Sequence, residues 1–253
     1  MYVAELFFAK KSPRPQRPDL AINRLLNNWR NNGQVISREW PVIEARGGYR
    51  LWVLIPARDA LTWGHSNRFC RDATLALKKE NLGPPRVRIL GKDPDSMGED
   101  RCRKRSSFVL YTTSLSMESP LRCGECFRPV PLYRIPPTDK AGHRDHIRFW
   151  EWTYQQCDAL FMGSGVGERF GYREISDSRS SLTRNGLDVC SRIRKATGIS
   201  CYYYLYRYYS SRRERNRRCP GCNSQWLLKE PWLGKFEFRC DRCLLVSNSS
   251  FAE

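Results

Sequence analysis

Near the end of the chain, Cys219-Pro-Gly-Cys222 and Cys240-Asp-Arg-Cys243 are separated by seventeen residues, a spacing within the range of four-thiolate zinc sites. In a CxxC turn the backbone amides face the sulfurs, and four thiolates complete a tetrahedron with no open position for a substrate. Between the two pairs, Gln225–Lys229 and Phe236–Arg239 read as strands, with Gly234 in the turn that joins them. The expectation is a zinc ribbon, a β-hairpin pinned by one structural Zn²⁺ on Cys219, Cys222, Cys240 and Cys243. So small a module has too little core to fold alone, and the metal should supply much of its stability. A redox role does not fit, because two pairs are present and neither sits at a βα junction.

A third pair, Cys123-Gly-Glu-Cys126, is followed after sixteen residues by His143 and His146, giving C-x2-C-x16-H-x2-H. Two readings stay open. Cys123, Cys126, His143 and His146, with Cys157 as a further donor, can form a second Zn²⁺ site; or the cysteines are buried and the histidines face solvent. Eleven cysteines in 253 residues are an odd number in a chain too long to be a small disulfide scaffold, and metal thiolates in a reducing compartment fit better. The apolar run from Tyr2 to Ala9 contains Glu5 and precedes Lys10 and Lys11, which inverts the charge order of a secretory signal. No apolar run approaches the roughly 18 to 20 residues that cross a bilayer. A cytoplasmic protein without a membrane partner is expected.

The formal net charge is +18, and of the 44 basic residues ten are Lys and thirty-four Arg. Arg is always charged, donates in a planar fork that suits phosphate, and stacks on bases, so this surplus points to contact with a polyanion. The plainer reading is an Arg-biased composition on a well-solvated surface. The segment from Cys201 to Arg218 concentrates the chemistry: six tyrosines, Tyr206 among them and with Arg207 between them, run into Arg212, Arg213, Arg215, Arg217 and Arg218. Rings that stack on bases beside cations that neutralise phosphate are the means by which single strands are bound. Equally, Cys201–Tyr209 reads as a buried strand, with alternate tyrosines on opposite faces, followed by a basic solvated loop.

The first ninety residues read as βαββαβ, with helices from Asp19 and from about Ser66 and a hairpin signal at Arg46-Gly47-Gly48. That order belongs to the ferredoxin-like sandwich, an antiparallel four-stranded sheet with both helices on one face. The aromatic motif of RNA-recognition modules is missing, and Trp40, Tyr49 and Trp52 read as packing residues. The expected class is α+β: a ferredoxin-like domain at 1–92, a linker at 93–106, a mixed α+β domain at 107–210, and the zinc ribbon at 211–253. With only three histidines and no GxSxG elbow, Walker loop or HExxH helix, no catalytic constellation emerges. Gly163-Ser164-Gly165-Val166-Gly167 reads as a turn, since no Lys-Ser/Thr follows it.

Several segments are similar to a family of uncharacterised bacterial proteins: Leu121-Arg-Cys-Gly-Glu-Cys-Phe, Pro129-Val-Pro-Leu-Tyr-Arg-Ile-Pro-Pro, Val166-Gly-Glu-Arg-Phe-Gly, the tyrosine run from Thr197, and the stretch from Cys219 to Leu244-Leu-Val-Ser-Asn. The resemblance covers most of the chain from Leu121 onward and, more weakly, the N-terminal part. It implies a zinc-ribbon protein with nucleic acid as its suggested ligand, and it supplies no active site. Proteins of this kind also look like those found beside polymorphic bacterial toxins. The reading is a non-enzymatic protein that binds RNA or single-stranded DNA through Tyr206, Arg207, Arg212, Arg213, Arg215, Arg217 and Arg218. The alternative is an immunity or adaptor protein that neutralises an acidic partner such as a toxin domain.

Overall fold

Along Tyr2–Ala9 every second residue is buried and its neighbour half-buried, the period of a strand that sends alternate side chains to a core and to an open face. The computed structural model describes residues 1–12, 17–163, 165–209 and 214–250, and shows a mixed α+β chain with a four-stranded and a six-stranded sheet. Its chain divides into two units, one comprising Met1–Glu99, Met117–Ser119 and Pro129–Asp145, the other Asp100–Ser116, Pro120–Arg128 and His146–Glu253.

In the first unit β1 (Tyr2–Ala9) lies antiparallel between β3 (Gly48–Ile55) and β4 (Arg86–Lys92), and β2 (Ile43–Ala45) pairs with the far side of β3. Helix α1 (Pro18–Asn31) opens on Pro18, whose fixed φ suits the first turn. Asp19, from which the sequence pattern starts the helix, sits inside that turn and complements the helix dipole. In α2 (Arg68–Ala76), Asn67 caps the start by accepting the Cys70 N–H at 3.0 Å. Ile22, Leu25, Leu26 and Trp29 of α1 and Cys70 and Ala73 of α2 share one core with Ala4, Leu6 and Phe8 of β1 and Leu51, Val53 and Ile55 of β3. Both helices therefore cover one face of the sheet, and Val3, Glu5 and Phe7 point to the other. Ahead of β2, the Ile36 N–H reaches Leu54 O at 2.8 Å and Gln34 donates to Ala60 O at 2.7 Å.

The second unit holds β5 (Ser107–Leu110), β6 (Leu121–Cys123), α3 (Asp145–Gly163) from His146 onward, α4 (Glu168–Ser176), α5 (Ser181–Thr197), β7 (Ser200–Leu205), β8 (Leu227–Trp232), β9 (Phe236–Cys240) and β10 (Leu245–Ser247). Its sheet runs β6-β5-β7-β10-β9-β8, with β7 parallel to both β5 and β10. Parallel neighbours require long crossovers, which α3 to α5 provide between β5 and β7. Helix α5 is capped by Ser180, which accepts the Thr183 N–H at 3.0 Å, and ends on Gly198 at φ 73°. Among the described residues no helix is long and apolar enough to cross a membrane.

Strand β7 is buried on both faces, as central parallel strands are. Tyr203 meets Trp150 of α3 edge-on at 5.9 Å, while Tyr204, one residue on, meets Tyr111 at 4.9 Å and Phe236 at 5.5 Å. Tyr202, Tyr203 and Tyr204 are thus packing residues. Gly186 makes the helix side of this arrangement fit: a Cβ there would lie 2.0 Å from Tyr203 Cε2 and 2.7 Å from Trp150 Nε1. Ala is normally favoured over Gly inside a helix by about 1 kcal/mol. Gly186→Ala should nevertheless destabilise the chain by about 1–3 kcal/mol through overpacking, seen as a lower urea midpoint. An unchanged or higher midpoint would contradict this close approach.

Candidate metal centres and nucleic-acid interface

The last third of the six-stranded sheet is built around two tight turns. In the first, Cys219 donates its N–H to Ser224 O at 2.9 Å and accepts that of Asn223 at 2.8 Å, with Asn223 at φ 58°. The second turn links β9 to β10, with Cys240 opposite Leu245 in register and Leu244 at φ 53°. Both turns aim their thiols at one point: the four sulfurs of Cys219, Cys222, Cys240 and Cys243 lie within 4.8 Å of one another. Cys222 Sγ and Cys240 Sγ are 3.6 Å apart, close to the edge of about 3.8 Å in a tetrahedron with metal–sulfur bonds of about 2.3 Å, and all four cysteines are free thiols. A Cβ on Gly221 would lie 2.8 Å from Cys243 Sγ, so the turn needs glycine there. The hydroxyl and N–H of Ser224 hold the Cys222 thiol down to about 6, whereas burial and the neighbouring sulfurs push Cys243 up. The cluster is able to hold a metal ion and leaves no ligand position vacant for a substrate.

These turns are attached to the centre of the sheet. The Tyr203 N–H donates to Leu244 O at 2.8 Å, directly beside Cys243, and β10 continues along β7 from Leu245 opposite Tyr203 to Ser247 opposite Leu205. Beyond β10, Asn248 accepts from Tyr204 Oη and from the Arg207 N–H, both at 2.9 Å, and closes the end of β7.

A second group of donors forms around the turn that follows β6. Asp100, Cys102, Cys123 and Cys126 each bring one ligand atom within 4.8 Å of the others. Asp100 Oδ1 accepts the Cys102 N–H at 3.0 Å and the Cys126 thiol at 3.2 Å, and Arg105 Nε donates to Oδ2. Burial opposes ionisation of this carboxyl, but those donors prevail and hold it at about 2. The partners of Cys123 and Cys126 thus come from upstream, whereas the sequence offered His143 and His146 from downstream. The cause is the β5–β6 pairing, Phe108 opposite Cys123, which brings the segment before Ser107 to the turn. His143, in the first unit, stacks on Phe69 with centroids 4.1 Å apart; His146 lies in the first turn of α3, and Cys157 is buried farther along that helix. Asp100 and Cys102 were missed because they fall in the stretch read as a linker, where only an Asp-x-Cys spacing hinted at ligands.

On the open face of the four-stranded sheet, Phe7 of β1 stands between Arg50 of β3 and Arg86 of β4, and Glu5 between Trp52 and Arg88. Glu5 lies 3.2 Å from Arg88 Nη2 and 3.7 Å from Arg50 Nε. Trp52 is 38% exposed. Glu5, Phe7, Arg46, Arg50, Arg86 and Arg88 edge an open concavity of about 550 Å³, in which four guanidinium groups face one carboxylate. Its signal in the sequence was the alternation of β1, which places Phe7 on the face opposite Leu6 and Phe8.

The basic segment before the first cysteine turn divides in two. Tyr206 is half-buried beside Phe161 at 5.8 Å, and burial pushes its phenol up to about 12. Arg207 and Arg217 both pair with Glu214 at 3.3 Å. Arg217 also donates to Asn248 O at 2.9 Å and lies over Phe238 at 4.1 Å, and burial lowers its proton affinity while Glu214 opposes that. Arg215 and Arg218 are exposed and edge a small groove with Gln225; Arg212 and Arg213 lie outside the described residues. Arg217→Gln should lower stability by about 1–3 kcal/mol, since it strands buried acceptors, whereas Arg215→Gln should stay within about 0.5 kcal/mol of the parent. Thermal melts of the two variants check this, and equal effects would contradict the structural role of Arg217.

Three families, each described as a domain of unknown function, match successive parts of the chain: DUF8589 at residues 1–91, DUF2310 at 102–206 and DUF8594 at 209–253. A protein of Haemophilus influenzae named only "Uncharacterized protein" is 34% identical over 259 residues, covering 99% of this chain and 99% of its own length. A second of that name from the same organism is 43% identical over 145 residues, 56% of this chain and 71% of its own length. No solved structure gives a significant match. Likeness along the full length of the first relative settles the grouping: the chain belongs to an uncharacterised bacterial family.

Proposed function

We propose that this is a non-enzymatic protein that binds single-stranded nucleic acid, RNA or DNA, on the open face of its four-stranded sheet. The observation that carries the reading is that Phe7, lining the concavity with Arg46, Arg50, Arg86 and Arg88, shares the open face of the two central strands with Trp52, which the register sets opposite Glu5. A flat π-face accepts any base, and each stacked base contributes about 1–3 kcal/mol; guanidinium groups around it take the phosphates. The strand order β2-β3-β1-β4 with both helices on the other face supports a ferredoxin-like sandwich, the topology through which RNA-recognition modules present sheet-face aromatics. The net charge of +18 would draw a polyanion to the whole surface. We read the metal at Cys219, Cys222, Cys240 and Cys243 as Zn²⁺ and the β8–β9 hairpin as a zinc ribbon, a closed site that stabilises the fold and takes no part in chemistry.

A protein partner is the second reading, favoured by Phe149 and Trp152, which are one turn apart on α3 and 62% and 55% exposed. A stable complex with an acidic polypeptide that is lost on Phe149→Ser and Trp152→Ser would support it.

Fluorescence anisotropy with single-stranded and duplex oligonucleotides, titrated over a salt series, tests the first reading. Single strands should bind more tightly. Phe7→Ala and Trp52→Ala should each cost about 5- to 150-fold in affinity with the salt slope unchanged, while Arg50→Gln and Arg88→Gln should each reduce the slope by about 0.7. Absence of binding in dilute buffer contradicts the reading. Loss confined to Arg215→Gln and Arg218→Gln would contradict the sheet as the interface.

A further inference from the structure

We propose that Asp100, Cys102, Cys123 and Cys126 form a second metal site, in which three thiolates and one carboxylate oxygen hold a divalent cation of the zinc type.

The backbone of the chain makes the case beyond the gathering of donors. At the C-terminal cluster each CxxC turn follows one rule: the first cysteine pairs with the fifth residue after it, and the fourth residue after it adopts a positive φ. Cys219 pairs with Ser224 and Asn223 has φ 58°; Cys240 pairs with Leu245 and Leu244 has φ 53°. The turn at Cys123 repeats it. Cys123 donates its N–H to Arg128 O at 3.0 Å and accepts that of Phe127 at 2.9 Å, and Phe127 has φ 59°. A bulky aromatic residue rarely enters the left-handed region, because its Cβ crowds the backbone. Phe127 does so here in the same turn that elsewhere in this chain presents thiols to a shared point. Gly124 is required as well, since a Cβ there would lie 2.1 Å from Ser107 Oγ.

The remaining donors suit a metal better than a set of thiols. Three sulfurs cannot pair off as disulfides, and all three are free. Asp100 is fully buried at its side chain, with Oδ1 turned to the sulfurs and Oδ2 held by Arg105. On binding M²⁺ the three thiols would lose their protons to solvent, and Oδ1 would exchange the thiol proton of Cys126 for the cation. Three thiolates and a carboxylate around a dication leave two negative charges. Arg105 offsets one, and the Glu125 N–H, 3.5 Å from Cys123 Sγ, points at another. Mixed sulfur and oxygen donors in a tetrahedron select Zn²⁺ over the hard cations. Bound there, the ion would fasten the segment before β5 to the end of β6, the edge strand of the six-stranded sheet.

Metal analysis of the full chain, reconstituted with Zn²⁺ and freed of excess, should give two ions per chain, one in Cys102→Ser and one in Cys222→Ser. Where Cys102→Ser fails to fold, cadmium-113 NMR of the unaltered chain decides: two resonances are expected, one for four sulfurs and one shifted upfield by an oxygen ligand. Asp100→Cys should move only the second, toward the four-sulfur position. One ion per chain, a count unaltered by Cys102→Ser, or a spectrum that Asp100→Cys leaves unchanged would each overturn the assignment.

Discussion

Three residues of parallel pairing, Leu245–Ser247 against Tyr203–Leu205, connect the cysteine turns to everything else in the second unit. Strand β7 has no solvent face of its own. It is covered by α3 and α5 through Tyr203 and by Tyr111 and Phe236 through Tyr204, and its two edges are taken by β5 and β10. Because β10 leaves the second cysteine turn directly, with Leu244 O already bonded to the Tyr203 N–H, the geometry around the thiols sets where β10 can lie. Cysteine turns, hairpin and central strand are then joined in one continuous sheet. A small hairpin with little core of its own gains a large sheet to lean on, and the sheet gains an edge-covering extension.

The first unit solves a different problem with the same elements. Its two helices crowd one face of a four-stranded sheet and bury Leu6, Phe8, Leu51 and Val53 there, so the other face must carry residues that tolerate water. The sequence fills it with guanidinium groups and two aromatic rings, and Glu5 between Arg50 and Arg88 keeps those cations ordered at a modest electrostatic gain, since surface pairs are worth about 0–1 kcal/mol. Such a surface costs stability through like-charge repulsion.

Much of this could be read from local pattern. The helical spacing of Leu20, Ile22, Leu25, Leu26 and Trp29 gave α1, although Leu20 is exposed; the Gly47-Gly48 turn gave the β2–β3 hairpin, and two CxxC pairs gave the four-sulfur cluster, because each depends on neighbours within a few residues. What depended on distant pairing stayed hidden. The tyrosine run could be a buried strand or a stacking surface until β5 and β10 were seen on either side of it. Arg207 and Arg217 looked like phosphate ligands beside Arg215 and Arg218; their partner Glu214 is close in sequence, but the bonds that bury Arg217 against Ser247 and Asn248 come from the far end of the chain. Cys102 is twenty-one positions before Cys123, and only the β5–β6 register brings them together. The stretch 211–253 reads as its own module in sequence, yet its strands join a sheet that begins at Ser107.

Hydrogen–deuterium exchange of the full chain, metal-loaded and after chelation, tests the coupling of metal to sheet most directly. If the cysteine turns position β10 and through it β7, chelation will raise exchange along Cys201–Leu205 and Phe108–Leu110 together with the segment 219–247. Faster exchange restricted to 219–243, with β5 and β7 as protected as before, would show that the hairpin is an independent attachment and would contradict the account.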